Sequence, residues 1–231
     1  MKKKIVVFTG AGISQESGVS TFRDIKDGLW YNYDVDDVAT LQGWKNDRET
    51  VLEFRNMLCH KINEVSPNKA HTDLAQLEKD FDVTIVTQNV DDLHERGGSS
   101  NIIHIHGELL KANSSLDRSI VYDYPGDINI GDKCEKGSQL KPNYVLFGEY
   151  PYRLEEVYEK LSEADYVIAV GTGFNIPYTV DFLTCLKKDC KVYYIDTDPV
   201  FLDEFNNIDI KIVIEKATVG VAETIERIKK L

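Results

Sequence analysis

A glycine-rich turn follows the first apolar segment of the chain. Residues 5–8 (IVVF) form an unbroken apolar run, typical of a buried parallel strand, and Thr9-Gly10-Ala11-Gly12 comes directly after it. Glycine has no Cβ, so the backbone at this turn can approach a ligand closely. Backbone N–H groups at a strand-to-helix turn point outward and favour an anion, usually a phosphate. The turn predicts a phosphate-binding site formed by Gly10, Ala11, Gly12, Ile13 and Ser14.

The match of this turn to a dinucleotide-binding fingerprint is incomplete. Gly10 and Gly12 fit the first half of G-x-G-x-x-G, but Gln15 occupies the third glycine position. A tight joint between a strand and a helix, without any ligand, is the alternative. Phe22 and Arg23 follow within a short distance and add an aromatic ring and a guanidinium, which favours the binding site.

Polar side chains also follow the other predicted strands. The strands are residues 83–86, 101–106, 166–170 and 192–195. Open α/β sheets bind ligands at the carboxyl ends of their strands, so we expect these polar residues to converge on one rim, with a nucleotide as the default ligand. The residues concerned are Gln88, Asn89, Asp91, His106, Gly171, Thr172, Gly173 and Asp196.

His106 is the candidate general base of this rim. An imidazole titrates near neutrality and therefore suits proton transfer. The alternative is an ordinary structural histidine, which is the interpretation we give to His60, His71, His94 and His104.

The remaining chain alternates between predicted helices and strands. Helices are predicted over residues 48–63, after the break at 66–68, and over 152–162, 180–188 and 217–230, with further strands over 144–147 and 210–214. Residues 27–44 are predicted to form a loop or short helices. Residues 111–141 are predicted to lie outside the main sheet, as an excursion from it. This order predicts an α/β fold, a Rossmann-like parallel sheet with helices on both faces and a small inserted lobe.

We predict a single catalytic domain over residues 1–231. Its Rossmann-like core would comprise about residues 1–25, 66–110 and 143–231, and its small lobe the inserts at about 26–65 and 111–142.

The amino-acid composition limits the classes of molecule that the chain is expected to bind. The formal net charge is −12 and the isoelectric point is near 4.9, which argues against non-specific binding of nucleic acid or an anionic membrane and suits a basic partner such as a lysine-bearing protein. No apolar run is long enough to span a membrane, and the four cysteines form no C-x-x-C pair. We therefore expect a soluble cytoplasmic protein.

Several separated motifs together carry a family resemblance. They are GAGISQESGVSTFR, TQNVDDLH, HIHGE, PNYVLFGE, a GT-containing turn and YYID, in this order. The chain resembles the sirtuins, the NAD-dependent protein deacylases, over essentially its whole length. GLW followed by DVAT, and HGELLK, are most similar to the bacterial branch whose members can remove acidic acyl groups.

The resemblance implies a reaction between NAD and an acylated lysine. The acyl oxygen attacks the ribose carbon that bears nicotinamide, nicotinamide leaves, and a histidine removes a proton from a ribose hydroxyl. The acyl group ends on ADP-ribose. His106 matches that histidine, and its HGE context distinguishes it from the other four.

The resemblance also assigns roles to the rim. Asn89 would hold the ribose and a water near the reacting carbon, Asp91 would receive the nicotinamide carboxamide, and Phe22 would shield the ribose from water. The cofactor-binding residues that we predict are Gly10, Ala11, Gly12, Ile13, Ser14, Phe22, Arg23, Gln88, Asn89, Asp91, Gly171, Thr172, Gly173, Asp196 and Thr218.

The substrate peptide would pair with the segment containing Val145, Phe147, Gly148 and Glu149. Pairing through the backbone makes few demands on peptide sequence, so we expect loose sequence selectivity.

The chain departs from the family pattern in its metal ligands. Sirtuins generally hold a structural zinc on four cysteines in the segment that is residues 111–141 here, and this chain has only Cys134 there. One thiol cannot supply a tetrahedral zinc site, so we expect no zinc.

A second departure concerns the acyl group. Family members that remove acidic acyl groups carry a tyrosine and, three residues on, an arginine; here these positions hold Arg55 and Leu58. The bidentate grip of an arginine on the distal carboxylate is therefore missing where it is expected. Contact of Arg55 with the acyl group is a speculative alternative, and a deacetylase is the favoured prediction.

The adenosine end differs as well. Asp196 stands where the family usually has an asparagine, and a carboxylate there accepts ribose hydroxyls and repels a 2′-phosphate. NAD is therefore expected over NADP.

Three alternatives remain open from the sequence. A sirtuin-like NAD glycohydrolase would use water as the acceptor, and a non-catalytic ADP-ribose sensor would need only the phosphate turn. A dehydrogenase is disfavoured by the broken fingerprint. The sequence makes no prediction of oligomeric state.

Overall fold

The first glycine-rich turn lies at the centre of the main sheet. The computed structural model describes residues 2–19 and 33–231. Six parallel strands form the sheet in the order β3-β2-β1-β7-β8-β9. The strands are β1 Lys4–Thr9, β2 Asp82–Thr87, β3 Ile102–His104, β7 Tyr166–Val170, β8 Lys191–Ile195 and β9 Asp209–Val213.

The strand order reverses between β1 and β7. From β1 the chain adds β2 and β3 on one side, and β7, β8 and β9 extend the sheet on the other. Ligands of doubly wound sheets bind outside the carboxyl ends of the strands at such a switch point. The topology therefore places the predicted ligand site above β1 and β7.

Alternation along β1 explains why helices cover both faces. Ile5 and Val7 belong to one buried apolar cluster, and Val6 and Phe8 to another, because successive side chains of a strand point to opposite faces. The helices are α1 Val35–Val38, α2 Leu41–Asn46, α3 Arg48–Glu64, α4 Lys69–Leu77, α5 Leu93–Gly97, α6 Leu154–Glu163, α7 Pro177–Asp181 and α8 Ala217–Lys229. The first cluster includes residues of α4 and α8, and the second includes residues of α6.

A second, antiparallel sheet has the order β5-β4-β6. Its strands are β4 Gly107–Ser114, β5 Val121–Asp123 and β6 Leu140–Tyr144. Together with α2 and α3 it encloses a third apolar cluster, which contains Trp44, Leu52 and Leu140. The α/β fold and the excursion over residues 111–141 are confirmed, whereas the division of the chain into core and lobe stays a prediction.

Two local predictions are wrong. Residues 144–147 are not a strand, because β6 ends at Tyr144 and the next backbone groups bond elsewhere. Residues 180–188 are not one helix; α7 is short and begins at Pro177, as proline favours. The glycine-rich turn continues into two 3-10 turns, Ala11–Ile13 and Gln15–Ser17, that end at Gly18 with φ of 92°.

No helix in the described parts of the chain combines the length and the apolar character that crossing a membrane requires.

Candidate functional site

Two glycine-containing turns touch each other at the switch point. Gly12 N–H donates to the carbonyl of Gly171 at 3.0 Å, and Gly10 N–H donates to that of Val170 at 3.1 Å. A Cβ on Gly12 would lie 2.6 Å from the Cα of Gly171, closer than real Cβ contacts allow. Gly171 itself has φ of 59°, in the left-handed region. The glycines after β1 and β7 therefore bring the two strand ends together and form the floor of a crevice.

The same contacts correct one expectation about the turn. Besides Gly10 and Gly12, Ile13 N–H donates to the carbonyl of Gly10, and Ser14 N–H to that of Ala11. The expectation that these four N–H groups point outward towards an anion is wrong. The side chain of Ile13 is fully buried in the core.

Asn89, Ser14 and Asp91 form a buried hydrogen-bonded chain at the end of β2. The amide nitrogen of Asn89 donates to Ser14 Oγ at 3.2 Å, and Ser14 Oγ donates to Asp91 Oδ2 at 3.0 Å. Residues separated by some 75 positions in sequence are thus joined, as the strand-end pattern predicted. Burial raises the pKa of Asp91, while the N–H of Leu93 and the hydroxyl of Ser14 oppose that shift by donating to its carboxylate.

Gln88 connects this chain to the β7 side and to His106. Its side-chain amide donates to Thr172 Oγ1 at 2.9 Å, and its backbone carbonyl accepts from His106 Nδ1 at 2.9 Å. Because a carbonyl oxygen only accepts, the proton of neutral His106 lies on Nδ1 and the lone pair on Nε2. Burial lowers the pKa of His106, and the bond to the Gln88 carbonyl works against that change. His106 is thus neutral at physiological pH, with Nε2 as the basic atom.

Tyr178 is a contact of His106 that the sequence reasoning missed. Its hydroxyl lies within hydrogen-bonding distance of Nε2, and the two rings meet edge to face. As Nε2 carries the lone pair, Tyr178 donates. Burial raises the pKa of Tyr178 to about 12, so its hydroxyl keeps its proton. Pro177 signals the start of α7, but no local pattern predicts a contact with a residue 72 positions away.

The other predicted cofactor residues that the structure describes lie around the same rim. Asp196 follows β8 and accepts the N–H of Asp198 at 2.9 Å. Thr218, in the first turn of α8, binds both oxygens of Glu16, at 2.9 and 3.0 Å, beside the first turn. Gly173 follows Thr172 at the end of β7. Phe22 and Arg23 lie outside the described residues.

The predicted peptide-binding segment, residues 145–149, forms backbone hydrogen bonds to two different parts of the chain. Val145 N–H donates to the carbonyl of His106, and Phe147 N–H to that of Ala39, both at 2.8 Å. The carboxylate of Glu149 is occupied by buried Lys141 at 2.6 Å and by the N–H of Leu146 at 3.0 Å. Gly148 has φ of 97°, and the Phe147 side chain is 56% exposed. The segment therefore starts beside His106, the candidate general base, and the bonds of Glu149 hold its conformation.

Arg55 of α3 is fully buried against β4 and the segment after β5. Its guanidinium donates to the backbone carbonyls of Leu109 (3.0 Å), Tyr124 and Gly126. Burial lowers the pKa of Arg55. These hydrogen bonds favour a structural role for Arg55 over contact with an acyl group. Leu58, about one helical turn further along α3, is partly buried against the third apolar cluster, which contains Trp44, Leu52 and Leu140.

Hydroxyl groups surround Cys134, where a zinc site would lie. Cys134 Sγ is 3.1 Å from Ser138 Oγ, and Ser138 Oγ is 2.6 Å from Ser114 Oγ. These hydrogen bonds lower the pKa of the Cys134 thiol to about 7. One thiol and two hydroxyls do not supply the nitrogen and sulfur ligands that structural zinc requires, so the residues present do not fit the metal.

The comparisons with known proteins agree with this geometry. The model of the Sir2 family matches residues 10–177. An NAD-dependent protein deacylase of Helicobacter pylori is 47% identical over 194 residues, which is 84% of each chain. One of Bacteroides thetaiotaomicron is 42% identical over 229 residues, 96% of each chain.

Solved structures are similar over nearly the entire chain. A Sir2 homolog in complex with NAD has a TM-score of 0.86 at 33% identity, covering 99% of this chain and 90% of that one. A mutant Sir2 homologue with ADP-ribose also gives 0.86, at 32% identity and with 99% and 93% coverage.

Proposed function

The chain belongs to the Sir2 family, and we propose that it is an NAD-dependent protein deacylase that moves an acyl group from lysine to ADP-ribose and releases nicotinamide. The observation that carries the proposal is the position of His106. Its basic Nε2 lies at the rim, its carbonyl accepts from Val145 of the peptide-binding segment, and its Nδ1 bonds to the residue before Asn89.

The residues of the crevice fit NAD. The glycine turns meet at the switch point, where a dinucleotide lies in sheets of this kind, and Asp196 follows β8 with a carboxylate that suits ribose hydroxyls. When bound, NAD supplies a ribose carbon with nicotinamide as the leaving group. We assign the carboxamide of nicotinamide to Asp91 and the ribose to Asn89, Ser14 and Gln88.

Each site residue then has a defined task. His106 takes a proton at Nε2 while its Nδ1–H goes on donating to the Gln88 carbonyl, so the same tautomer is restored when Nε2 releases its proton. Asn89 and Asp91 are held by Ser14. Acylated lysine in a protein or peptide is the second substrate, paired along residues 145–149.

Mass spectrometry of NAD reactions tests this function. We expect equal amounts of nicotinamide and acylated ADP-ribose, formed only when an acyl-lysine peptide is present. Nicotinamide release that proceeds without peptide would identify an NAD glycohydrolase, and NAD binding without turnover an ADP-ribose sensor.

Acetyl-lysine is the acyl substrate that we propose. Arg55 is held by three carbonyls and Leu58 is apolar, so a succinyl carboxylate entering beside them would lose water without gaining a cation. An unpaired buried charge costs on the order of 3 kcal/mol, which corresponds to roughly 100-fold. We expect kcat/KM for an acetyl-lysine peptide to exceed that for the succinyl peptide by about this factor.

Leu58→Arg tests whether the missing cation causes this preference. It should narrow the ratio of kcat/KM between the acetyl and succinyl peptides, and the matched control Leu58→Met should leave that ratio unchanged. Arg55 is left intact, since replacing it would remove contacts within the small lobe. A preference of the unmodified protein for succinyl-lysine would show that Arg55 or another cation does reach the acyl carboxylate.

We also propose that the small lobe folds without zinc. Elemental analysis should find no stoichiometric metal, and a chelator should leave the thermal midpoint unchanged, because a structural zinc contributes directly to folding free energy. Ser138→Ala should lower the midpoint, as it removes the hydroxyl between Ser114 and Cys134. A midpoint that falls with chelator would show that other ligands hold a metal.

A further inference from the structure

His104 lies directly behind the catalytic rim, on the last residue of β3. Its ring is buried, with the residue 8% exposed. Nδ1 is 3.0 Å from the backbone carbonyl of Asn89, and Nε2 is 2.7 Å from Glu95 Oε1. Since the Asn89 carbonyl only accepts, Nδ1 must carry a proton.

Charged groups face this ring from several elements. Glu95 on α5 and Glu108 on β4 lie on one side, and Lys111 of β4 pairs with Glu108 at 2.9 Å. Asp91 and the buried His94 are close enough to be affected by the charge of His104. The carboxylate of Glu95 and the Asn89 carbonyl raise the pKa of His104 against the effect of burial. Each ring nitrogen also faces an acceptor, the Asn89 carbonyl at Nδ1 and the Glu95 carboxylate at Nε2, so the geometry favours His104 donating from both nitrogens.

The same residues form the only group in the described chain with the ligand spacing of a metal site. Ligand atoms of Glu95, His104 and Glu108 lie within 4.8 Å of one another. However, Nε2 of His104 already donates to Glu95, and Glu108 is paired with Lys111. Existing partners thus account for each group without an ion.

Asn89 is held at three points. Its N–H donates to Thr87 Oγ1 at 3.0 Å, its carbonyl accepts from His104, and its side chain donates to Ser14. Fixing both the N–H and the carbonyl of one residue sets its backbone dihedrals, and these determine where the side chain points.

We propose that His104 is a positioning residue for Asn89, anchored by Glu95 and holding the Asn89 carbonyl so that the Asn89 carboxamide is aimed at the reacting ribose. The inference rests on the proposed function, which gives Asn89 its role at the ribose. It adds a residue that touches neither substrate.

Two substitutions separate the two hydrogen bonds of His104. In His104→Asn the side-chain amide nitrogen lies near the position of Nδ1 and still donates to Asn89, whereas the bond to Glu95 is lost. In His104→Gln the amide reaches towards Glu95 and the donor to Asn89 is lost. We expect kcat to fall about ten-fold in His104→Gln, the scale of one lost hydrogen bond, with KM for the acyl peptide unchanged. His104→Asn should stay within about three-fold of the unmodified protein.

A merely structural histidine would give a different result. Both variants would then lose activity in proportion to lost stability, which thermal unfolding measures. The matched control is His60→Gln, the same substitution at an exposed histidine that pairs with Asp127 through Nε2, and it should leave kcat unchanged. Equal kcat for His104→Gln and the unmodified protein would overturn the proposal.

NMR tests the inference without any turnover. The side-chain ¹⁵N–¹H signals of Asn89 should shift in His104→Gln and stay in place in His104→Asn, and the His104 imidazole should carry two protons at neutral pH. An Nδ1 without a proton would overturn the inference, whatever the activity. Absence of NAD-dependent deacylation in the unmodified protein would contradict the proposed function alone.

Discussion

His106→Asn should lower kcat for deacylation by about 100-fold or more, which is the usual contribution of a positioned general base. Asparagine keeps a donor near Nδ1 for the Gln88 carbonyl but has no basic atom in place of Nε2. The affinity for NAD should change little, because the contacts of Gln88 with Thr172 and of Asn89 with Ser14 remain. Turnover of an acetyl-lysine peptide and calorimetric titration with NAD measure the two quantities.

The pH profile provides an independent check. As the proposed general base, His106 would act only as the neutral imidazole, and burial lowers its pKa below the ordinary value of 6.5. The rate should therefore fall as the pH drops through this lowered pKa and stay level above it. The Tyr178 hydroxyl donates to Nε2 and thereby stabilises the neutral imidazole. Tyr178→Phe removes this donor and should raise the pKa of His106, so the acid limb of the variant's pH profile should lie at higher pH. Near-normal turnover of His106→Asn would show that another group is the base.

Arg55→Met should lower the free energy of unfolding by about 2–4 kcal/mol. Methionine keeps an unbranched apolar stem but cannot donate to the carbonyls of Leu109, Tyr124 and Gly126, which belong to β4 and to the segment after β5. Buried acceptors left without donors cost more than the same groups exposed to water. Urea unfolding measures the change.

Lys61→Met is the matched control on the same helix. It also removes one positive charge, but Lys61 is exposed, so we expect a change within about 0.5 kcal/mol. Equal effects of the two substitutions would show that the buried guanidinium does not stabilise the small lobe. A selective loss of succinyl-lysine turnover in Arg55→Met, without a loss of stability, would restore the substrate contact as the better interpretation.

The main sheet was predictable because its central strands are buried on both faces. Residues 5–8 and 166–170 are continuous apolar runs, which need no knowledge of a partner to be recognised. The rim was also predictable, since the carboxyl ends of parallel strands meet at one edge wherever the chain returns. Local residue types alone were sufficient for both.

Predictions failed where a residue's partner lies far away in sequence. Residues 144–147 are apolar enough for a strand, but Val145 bonds to His106 and Phe147 to Ala39, so no continuous ladder forms. Arg55 was considered as a contact of the acyl group, but the carbonyls to which it donates come from positions 54 to 71 residues later. The contact between Tyr178 and His106 spans 72 residues.

The central position of β1 also shapes how the chain is made. A ribosome produces β1 before either of its neighbours in the sheet, because Ile5 pairs with Val83 on one side and with Tyr166 on the other. Until β7 leaves the ribosome, one edge of β1 is an unpaired row of N–H and C=O groups flanked by apolar side chains, the type of edge on which nascent chains associate wrongly. The contact between Gly12 and Gly171 forms only after that edge is covered, so the crevice is assembled late, after most of the chain has been synthesised.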